Sequence, residues 1–309
     1  MIITWGEPLS STSSTSMSGL TWDECVEECF ETADCVIAYN GGTGCQLYSY
    51  PQISSVQQLT SSSGSKVAFK VNTTSSMCPI GENPPTFDGN AAYGETSTNN
   101  TYQNYTIVYN DASDTWTIQY SSLKTCPSGY NIFSRILGFW CIQVFKSPIE
   151  SCITQQSAVT FCSNNNAILS GMENYNERMF LQNGGWDLWQ NRPVNITITG
   201  VWTDGFRIST CLYKSNRTAT VCNGINEFQF KDPLLSTPGG ITWYVNQPDG
   251  LPRGNDTTPT ASGCLYMRIE QNQTNLGTID DTTCDTSTVG EPARLCYNGM
   301  ACGLKPVET

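Results

Sequence analysis

Fifteen cysteines and no histidine in 309 residues constrain this chain more than any other feature. The cysteines are spread along the sequence rather than gathered in CxxC pairs, the usage of a secretory or extracellular chain that oxidises its thiols to disulfides. The absence of histidine removes Ser-His-Asp and Cys-His catalysis, His-ligated zinc and a histidine pH switch. No nucleophile-base pair, phosphate loop or metal cluster stands out in the sequence, so the chain reads as a recognition protein and not an enzyme. With 15 Lys and Arg against 27 Asp and Glu, the net charge of −12 makes it a poor binder of nucleic acid or anionic membrane. The best apolar run, Ile132 to Phe145, falls short of the roughly 20 residues of a membrane span and is broken by Ser134, Arg135 and Gln143. Seven Asn-x-Ser/Thr sequons, at Asn72, Asn99, Asn104, Asn195, Asn216, Asn255 and Asn272, agree with secretion and glycosylation. Met1 to Glu7 has no basic and apolar leader pattern, so a signal peptide is expected outside this chain. The length predicts two domains.

The first block becomes informative at Leu20-Thr21-Trp22-Asp23-Glu24-Cys25. Thr21 and Glu24 form a capping box, which predicts a short helix carrying Cys25 and Cys29 on one face. Cys35 and Cys45 follow in β-rich stretches, and Lys66 to Val71 supplies a final strand. Four cysteines allow three pairings; the nested one, Cys25 to Cys45 and Cys29 to Cys35, is favoured because its inner pair closes the shorter loop. A CxxxC helix followed by two cysteine-bearing strands resembles the PAN/apple modules, especially the small PAN-type (CW) module of nematode secreted proteins. The resemblance covers residues 1–72 and implies binding of a protein or glycan. Residues 73–125, with Pro84-Pro85 and three sequons in or beside a polar stretch, read as a glycosylated linker running into a β-hairpin at Tyr105–Tyr109 and Thr115–Tyr120.

From Cys126 a cysteine-bearing hairpin leads into Ser147-Pro148-Ile149-Glu150, an N-cap signal that predicts a helix to about Cys162. Asn174 and Glu177 open a second helix, ending at Asn183-Gly184-Gly185. This order resembles the C-type lectin-like domain over Cys126 to Pro306. The residues that carry it are the Cys-Pro-x-Gly-Tyr opening, Cys162, Glu177, Val201-Trp202-Thr203-Asp204-Gly205, Trp243 to Asp249, Cys264, Ile279 to Cys284 and Ala301 to Pro306. The fold class is therefore expected to be α+β: a small disulfide-stapled module, the linker, and a lectin-like domain over 126–309. Two helices, two small antiparallel sheets and a long loop region are implied for that domain, with Trp202 and Trp243 in its core. By the likeness Cys126 pairs with Cys141, Cys162 with Cys302 and Cys264 with Cys284. Cys211 and Cys222 lie near each other in an inserted hairpin, and Cys152 and Cys296 are taken as a staple parallel to the long bridge. Cys78 is left over, which points to a partner outside the chain shown or a disulfide dimer, and leaves the oligomeric state open.

The resemblance also implies a site. Gln247-Pro248-Asp249 resembles the galactose-preferring tripeptide, and Asp280 with Asp281 stand at the family's Asn-Asp ligand pair. Gln247, Asp249, Asp280 and Asp281 are thus the candidate calcium ligands and carbohydrate-binding residues, since calcium takes several hard oxygens. The glutamate expected two residues before Cys264 is Ser262, so one ligand is missing; Asn255 or Asp256 is the candidate replacement. Calcium is expected to bind weakly, at about 10⁻⁴ to 10⁻³ M. The expected function is extracellular recognition, by calcium-dependent carbohydrate binding in defence or, alternatively, by a sugar-silent lectin-like fold that binds a protein.

Overall fold

The computed structural model describes residues 1–42, 44–72, 91–148, 151–212, 222–250, 263–272, 275–290 and 294–309. The chain forms two compact α+β units, Met1–Thr125 with Val307–Thr309, and Cys126–Pro306.

The first unit contains β1 (Ile2–Ser11), β2 (Thr15–Met17), α1 (Trp22–Glu31), β3 (Cys35–Asn40), β4 (Cys45–Ser49), β5 (Ile53–Gln58), β6 (Lys66–Phe69), β7 (Ala91–Ser97), β8 (Thr101–Asn110), β9 (Thr115–Tyr120) and β10 (Lys124–Thr125). Helix α1 starts where its capping box dictates: Thr21 Oγ1 accepts from Glu24 N at 3.4 Å, and Glu24 Oε2 accepts from Thr21 N at 2.8 Å. Its buried face presents Cys25 and Cys29, bridged to Cys45 and Cys35. Strand β6, expected over Lys66 to Val71, is interior to the sheet and pairs with both β1 and β3. Residues 91–125 of the stretch expected as a linker and hairpin lie within the first compact unit. Residues 73–90, with Cys78, lie outside the described residues. The hairpin β8–β9 is present, and β9 hydrogen-bonds to β5 with Ser55 opposite Thr117. Tyr105, Ile107, Trp116 and Ile118 alternate inward to join Ile53, Val56 and Phe69 in one core, so apolar burial makes the hairpin part of this unit. The C-terminal strand of the chain, Val307–Glu308, pairs with β10, so the second unit ends at Pro306.

The second unit contains β11 (Asn131–Arg135), β12 (Gly138–Lys146), α2 (Gln155–Asn164), β13 (Ile168–Leu169), α3 (Tyr175–Gln190), β14 (Ile198–Arg207), β15 (Phe228–Gln229), β16 (Cys264–Glu270), β17 (Thr278–Thr282), β18 (Thr288–Val289) and β19 (Leu295–Leu304), and the terminal Val307–Glu308 strand is β20. The main sheet order is β11-β12-β19-β14-β16-β17, with β14 and β19 parallel. Consecutive residues of β14 serve opposite faces: Val201 packs with Leu181, Leu265 and Ile269, while Trp202 packs with Tyr266, Tyr297 and Met300. Trp202 is fully buried, stacks on Tyr297 at 4.5 Å and donates Nε1 to Ile153 O at 2.9 Å. Trp243 is half-buried against Phe228.

Both helices depart from their expected bounds. Helix α2 begins at Gln155, because Thr154 Oγ1 accepts from Ser157 N at 3.2 Å; Ser147 N donates to Asn298 O instead of starting a helix, and Ile149 and Glu150 lie outside the described residues. Helix α3 is capped by Asn174, as anticipated, but runs past Gly184-Gly185 to Gln190. Those glycines mark close packing and not a C-cap. A Cβ on Gly184 would stand 2.8 Å from Val144 Cβ, and one on Gly185 2.7 Å from Ile269 Cγ1. Five disulfides hold this unit, Cys126–Cys141, Cys152–Cys296, Cys162–Cys302, Cys211–Cys222 and Cys264–Cys284, the same pairs the sequence reading assigns.

Candidate functional site

The loop from Trp243 to Gly250 is laid along β17 by backbone hydrogen bonds. Tyr244 N donates to Ile279 O and Ile279 N to Thr242 O, each at 2.8 Å, and Gln247 N turns back to Tyr244 O at 3.0 Å. The turn places Asn246 at φ 63°, a conformation asparagine tolerates better than most residues, and the Gln247-Pro248 bond is cis. This brings three of the four expected site residues together. Asp249 N donates to Gln247 Oε1 at 2.7 Å and to Asp281 Oδ1 at 3.1 Å, and Gly250 N donates to Asp281 Oδ2 at 3.0 Å.

Asp280 is directed elsewhere. Adjacent residues of a strand face opposite sides, and here Asp281 lies opposite Leu265 while Asp280 lies opposite Tyr266. The Tyr266 hydroxyl donates to Asp280 Oδ2 at 2.7 Å, so this carboxylate completes the aromatic cluster under Trp202. Burial pushes its pKa up and the tyrosine bond pulls it back.

The decisive neighbour of Asp281 is a residue the sequence reading passed over. Arg207, at the end of β14, donates Nη2 to Asp281 Oδ2 at 2.7 Å, pairs through Nη1 with Glu227, and lies over the Phe228 ring at 4.7 Å. Both side chains of the Arg207–Asp281 pair are wholly buried. Burial raises the Asp281 carboxyl to about 6, the Arg207 charge opposes this, and Asp249 and Asp280 add to the rise. The position has a local cause: β14 bulges between Trp202 and Phe206, and Arg207 N is then held to Gly263 O at 2.8 Å.

These residues do not fit a calcium ion. Calcium asks for six to eight oxygens at about 2.3 to 2.6 Å, mostly carboxylates and carbonyls with free lone pairs. Here the oxygens of Asp281 already accept from a guanidinium and two backbone amides, Gln247 Oε1 is spent on Asp249 N, and Asp280 faces the other way. Among the described residues no group of three or more His, Cys, Asp or Glu side chains is placed to share a metal. Ser262, Asn255 and Asp256 lie outside the described residues.

A second buried arginine secures the neighbouring part of the long loop region. Arg135 makes a bidentate pair with Glu177, at 2.7 and 2.9 Å, and reaches Asp232 at 2.8 Å. Glu173 accepts from Ile136 N and Ser236 N, at 2.7 and 2.9 Å, and Asp204 Oδ2 accepts from Lys231 N and Asp232 N at 2.6 and 2.7 Å. Burial raises Glu177 against the pull of Arg135, and raises Asp204 to about 6 against its backbone donors. Glu177 is therefore half of an internal ion pair. The one signal in the sequence for either arginine is the scarcity of cations beside its segment's apolar strand residues, which does not say where a guanidinium points.

A family model described as C-type lectin domain-containing protein 141/158 matches residues 123–305, more than half of the chain. The chain belongs to that family. A PAN-like domain matches residues 1–71 of this C-type lectin family member. No match to a curated protein was found. Solved structures similar to it include the cow CD23 C-type carbohydrate-recognition domain in the presence of an oligosaccharide, 15 % identical, covering 60 % of this chain and 98 % of that one at TM-score 0.34. A calcium-independent type II antifreeze protein is 17 % identical over 60 % and 97 % at 0.33, and the Ca²⁺-independent C-type lectin SPL-2 from Saxidomus purpuratus is 15 % identical over 58 % and 93 % at 0.32. The fold is one of carbohydrate or protein recognition, and such domains are generally non-enzymatic. Disulfide-rich lectin and PAN-like domains are typical of extracellular proteins, and among the described residues no helix is long and apolar enough to cross a membrane.

Proposed function

We propose that this protein is a secreted, glycosylated recognition protein whose lectin unit presents the 243–250 loop to a protein partner without calcium. The observation that carries the reading is the Arg207–Asp281 pair, in which an internal guanidinium supplies the positive charge that a calcium ion would bring to this loop. Without that ion, a galactose has no metal to complete with its vicinal hydroxyls, which weighs against the galactose-type role of Gln247-Pro248-Asp249. Val245 stands 64 % exposed on the same loop, an apolar side chain that has no hydrogen bond to offer a sugar hydroxyl. The exposed positions of Asn72, Asn99, Asn104, Asn195 and Asn272 support glycosylation there; Asn216 and Asn255 lie outside the described residues. A defence role enters this proposal from the C-type lectin family match alone.

The test is binding to arrayed glycans and arrayed extracellular proteins, each read in calcium and in chelator. The reading expects a protein signal that survives chelation and is lost in Val245→Asp, with no calcium-dependent galactose signal. Galactose binding that disappears in chelator would overturn it.

A further inference from the structure

A cleft of about 520 Å³ opens in the lectin unit at the end of β14 remote from Arg207, within the size range of small-ligand sites. Strand β14 spans Ile198–Arg207, and no residue of the 243–250 loop is among the described residues that line the cleft. One wall is the Cys152–Cys296 disulfide, the staple that lies parallel to the long Cys162–Cys302 bridge. That staple fixes the segment after β12 to the start of β19, and so holds the cleft in shape.

The lining is cationic in a chain of net charge −12. Lys146 and Arg192 both border the cleft, and among the described lining residues there is no carboxylate. Arg192 is fixed in place: it donates to Ile196 O at 2.8 Å and to Trp189 O at 2.7 Å, with its guanidinium over the Trp189 ring. Lys146 is exposed. Asn298, only 7 % exposed, also borders the cleft, and its Oδ1 is buried with no hydrogen-bond partner. A buried amide oxygen left unpaired is costly, and rotating the amide toward the cleft would let a ligand hydroxyl or N–H satisfy it.

We infer that this cleft is a subsite for a short acidic saccharide, its carboxylate or sulfate held by Lys146 and Arg192 and one of its hydroxyl or amide donors held by Asn298. A cationic pair with an unpaired acceptor matches a ligand that carries an anionic group together with donors; sulfate or a simple carboxylate has no donor for Asn298, and a neutral sugar leaves the two cations unused. Two sources share this chemistry. The saccharide can come from outside, or from the glycan of Asn195, which is exposed, begins the sequon Asn195-Ile196-Thr197 and borders the cleft.

The experiment titrates the full chain with a hyaluronan tetrasaccharide, and with neutral chitotetraose as control, by calorimetry in chelator. Each titration is run on wild type and on Asn195→Gln. Acidic-saccharide binding that falls about tenfold in Lys146→Ala and in Asn298→Ala, the loss expected for one hydrogen bond to a charged or otherwise unpaired group, supports the site. Lys146→Ala changes an exposed side chain and keeps the test valid if Asn298→Ala does not fold. Binding seen in Asn195→Gln alone also supports the site and shows that the chain's own glycan covers it in the wild type. Equal binding of chitotetraose, no binding to either protein, or binding unchanged in Lys146→Ala would overturn the inference. Because Val245→Asp leaves this cleft intact, failure here and failure of the loop reading are separable.

Discussion

Replacing Arg207 by methionine keeps most of the apolar stem over Phe228 and removes the charge that Asp281 and Glu227 share. Removing one partner of a buried ion pair costs about 3 to 5 kcal/mol, because the remaining carboxylate is left uncompensated. Against a typical total stability of about 5 to 15 kcal/mol, that is a large fraction, and in a unit of this size it corresponds to a fall in Tm on the order of 10 °C. The pH dependence separates this mechanism from a simple packing defect. In the wild type the folded carboxyl of Asp281 titrates near 6, above the roughly 3.9 of an unfolded aspartate. Its contribution to stability is thus fully present below pH about 4 and is lost as pH rises through 6. Without the guanidinium the folded value rises further, so the Asp281 share of the variant's penalty is expected to be small at pH 5, where Asp281 is protonated, and full at pH 8, on top of the loss from Glu227. Urea denaturation of both proteins at the two pH values measures it, and adding Asp281→Asn to the variant should return part of the loss at pH 8. A penalty below about 1 kcal/mol at pH 8, or one equal at both pH values, would refute the reasoning.

Gly185→Ala sets two effects against each other: alanine gains about 1 kcal/mol in helix propensity, but its Cβ would meet Ile269 at 2.7 Å, an overpacking worth about 1 to 3 kcal/mol. Net destabilisation is expected in thermal melts, and a gain in Tm would show that the helix and sheet can separate freely. Glu177→Gln removes one carboxylate from the Arg135 network and is expected to cost about 3 kcal/mol in urea denaturation, more than the fraction of a kcal/mol typical of an exposed pair. Asp204, like Asp281, titrates near 6 when folded, so wild-type stability should fall as pH rises from 5 to 7; a flat or rising profile over that window contradicts the burial of these carboxyls.

What was legible in the sequence had local causes. Helix α1 could be placed because Thr21 and Glu24 cap it within four residues, and α3 could be started because Asn174 accepts from Glu177. Its end was misread because Gly184-Gly185 has the same letters as a C-cap, and only the approach of Val144 and Ile269 distinguishes the two uses. The β8–β9 hairpin was visible from its alternating Tyr, Ile and Trp residues, but its partner β5 lies about sixty residues earlier, so its membership of the first unit was not. The site shows the same division. Gln247, Asp249 and Asp281 were found from their motif and do converge, whereas the split between Asp280 and Asp281 follows from strand alternation that the motif does not encode. Arg207 reaches Asp281 across 74 residues of sequence, through a bulge in β14 that no local pattern announces.

Calcium titration of the intact chain tests the central claim most directly. If Arg207 supplies the charge at the loop, the denaturation midpoint in 10 mM calcium should equal that in chelator, and calorimetry should show no heat of binding. A lectin-type site with a Kd of about 0.1 mM would at that hundredfold excess stabilise the fold by about 2.7 kcal/mol, a shift of several degrees. A shift of that size, abolished by Asp281→Asn, would contradict the account.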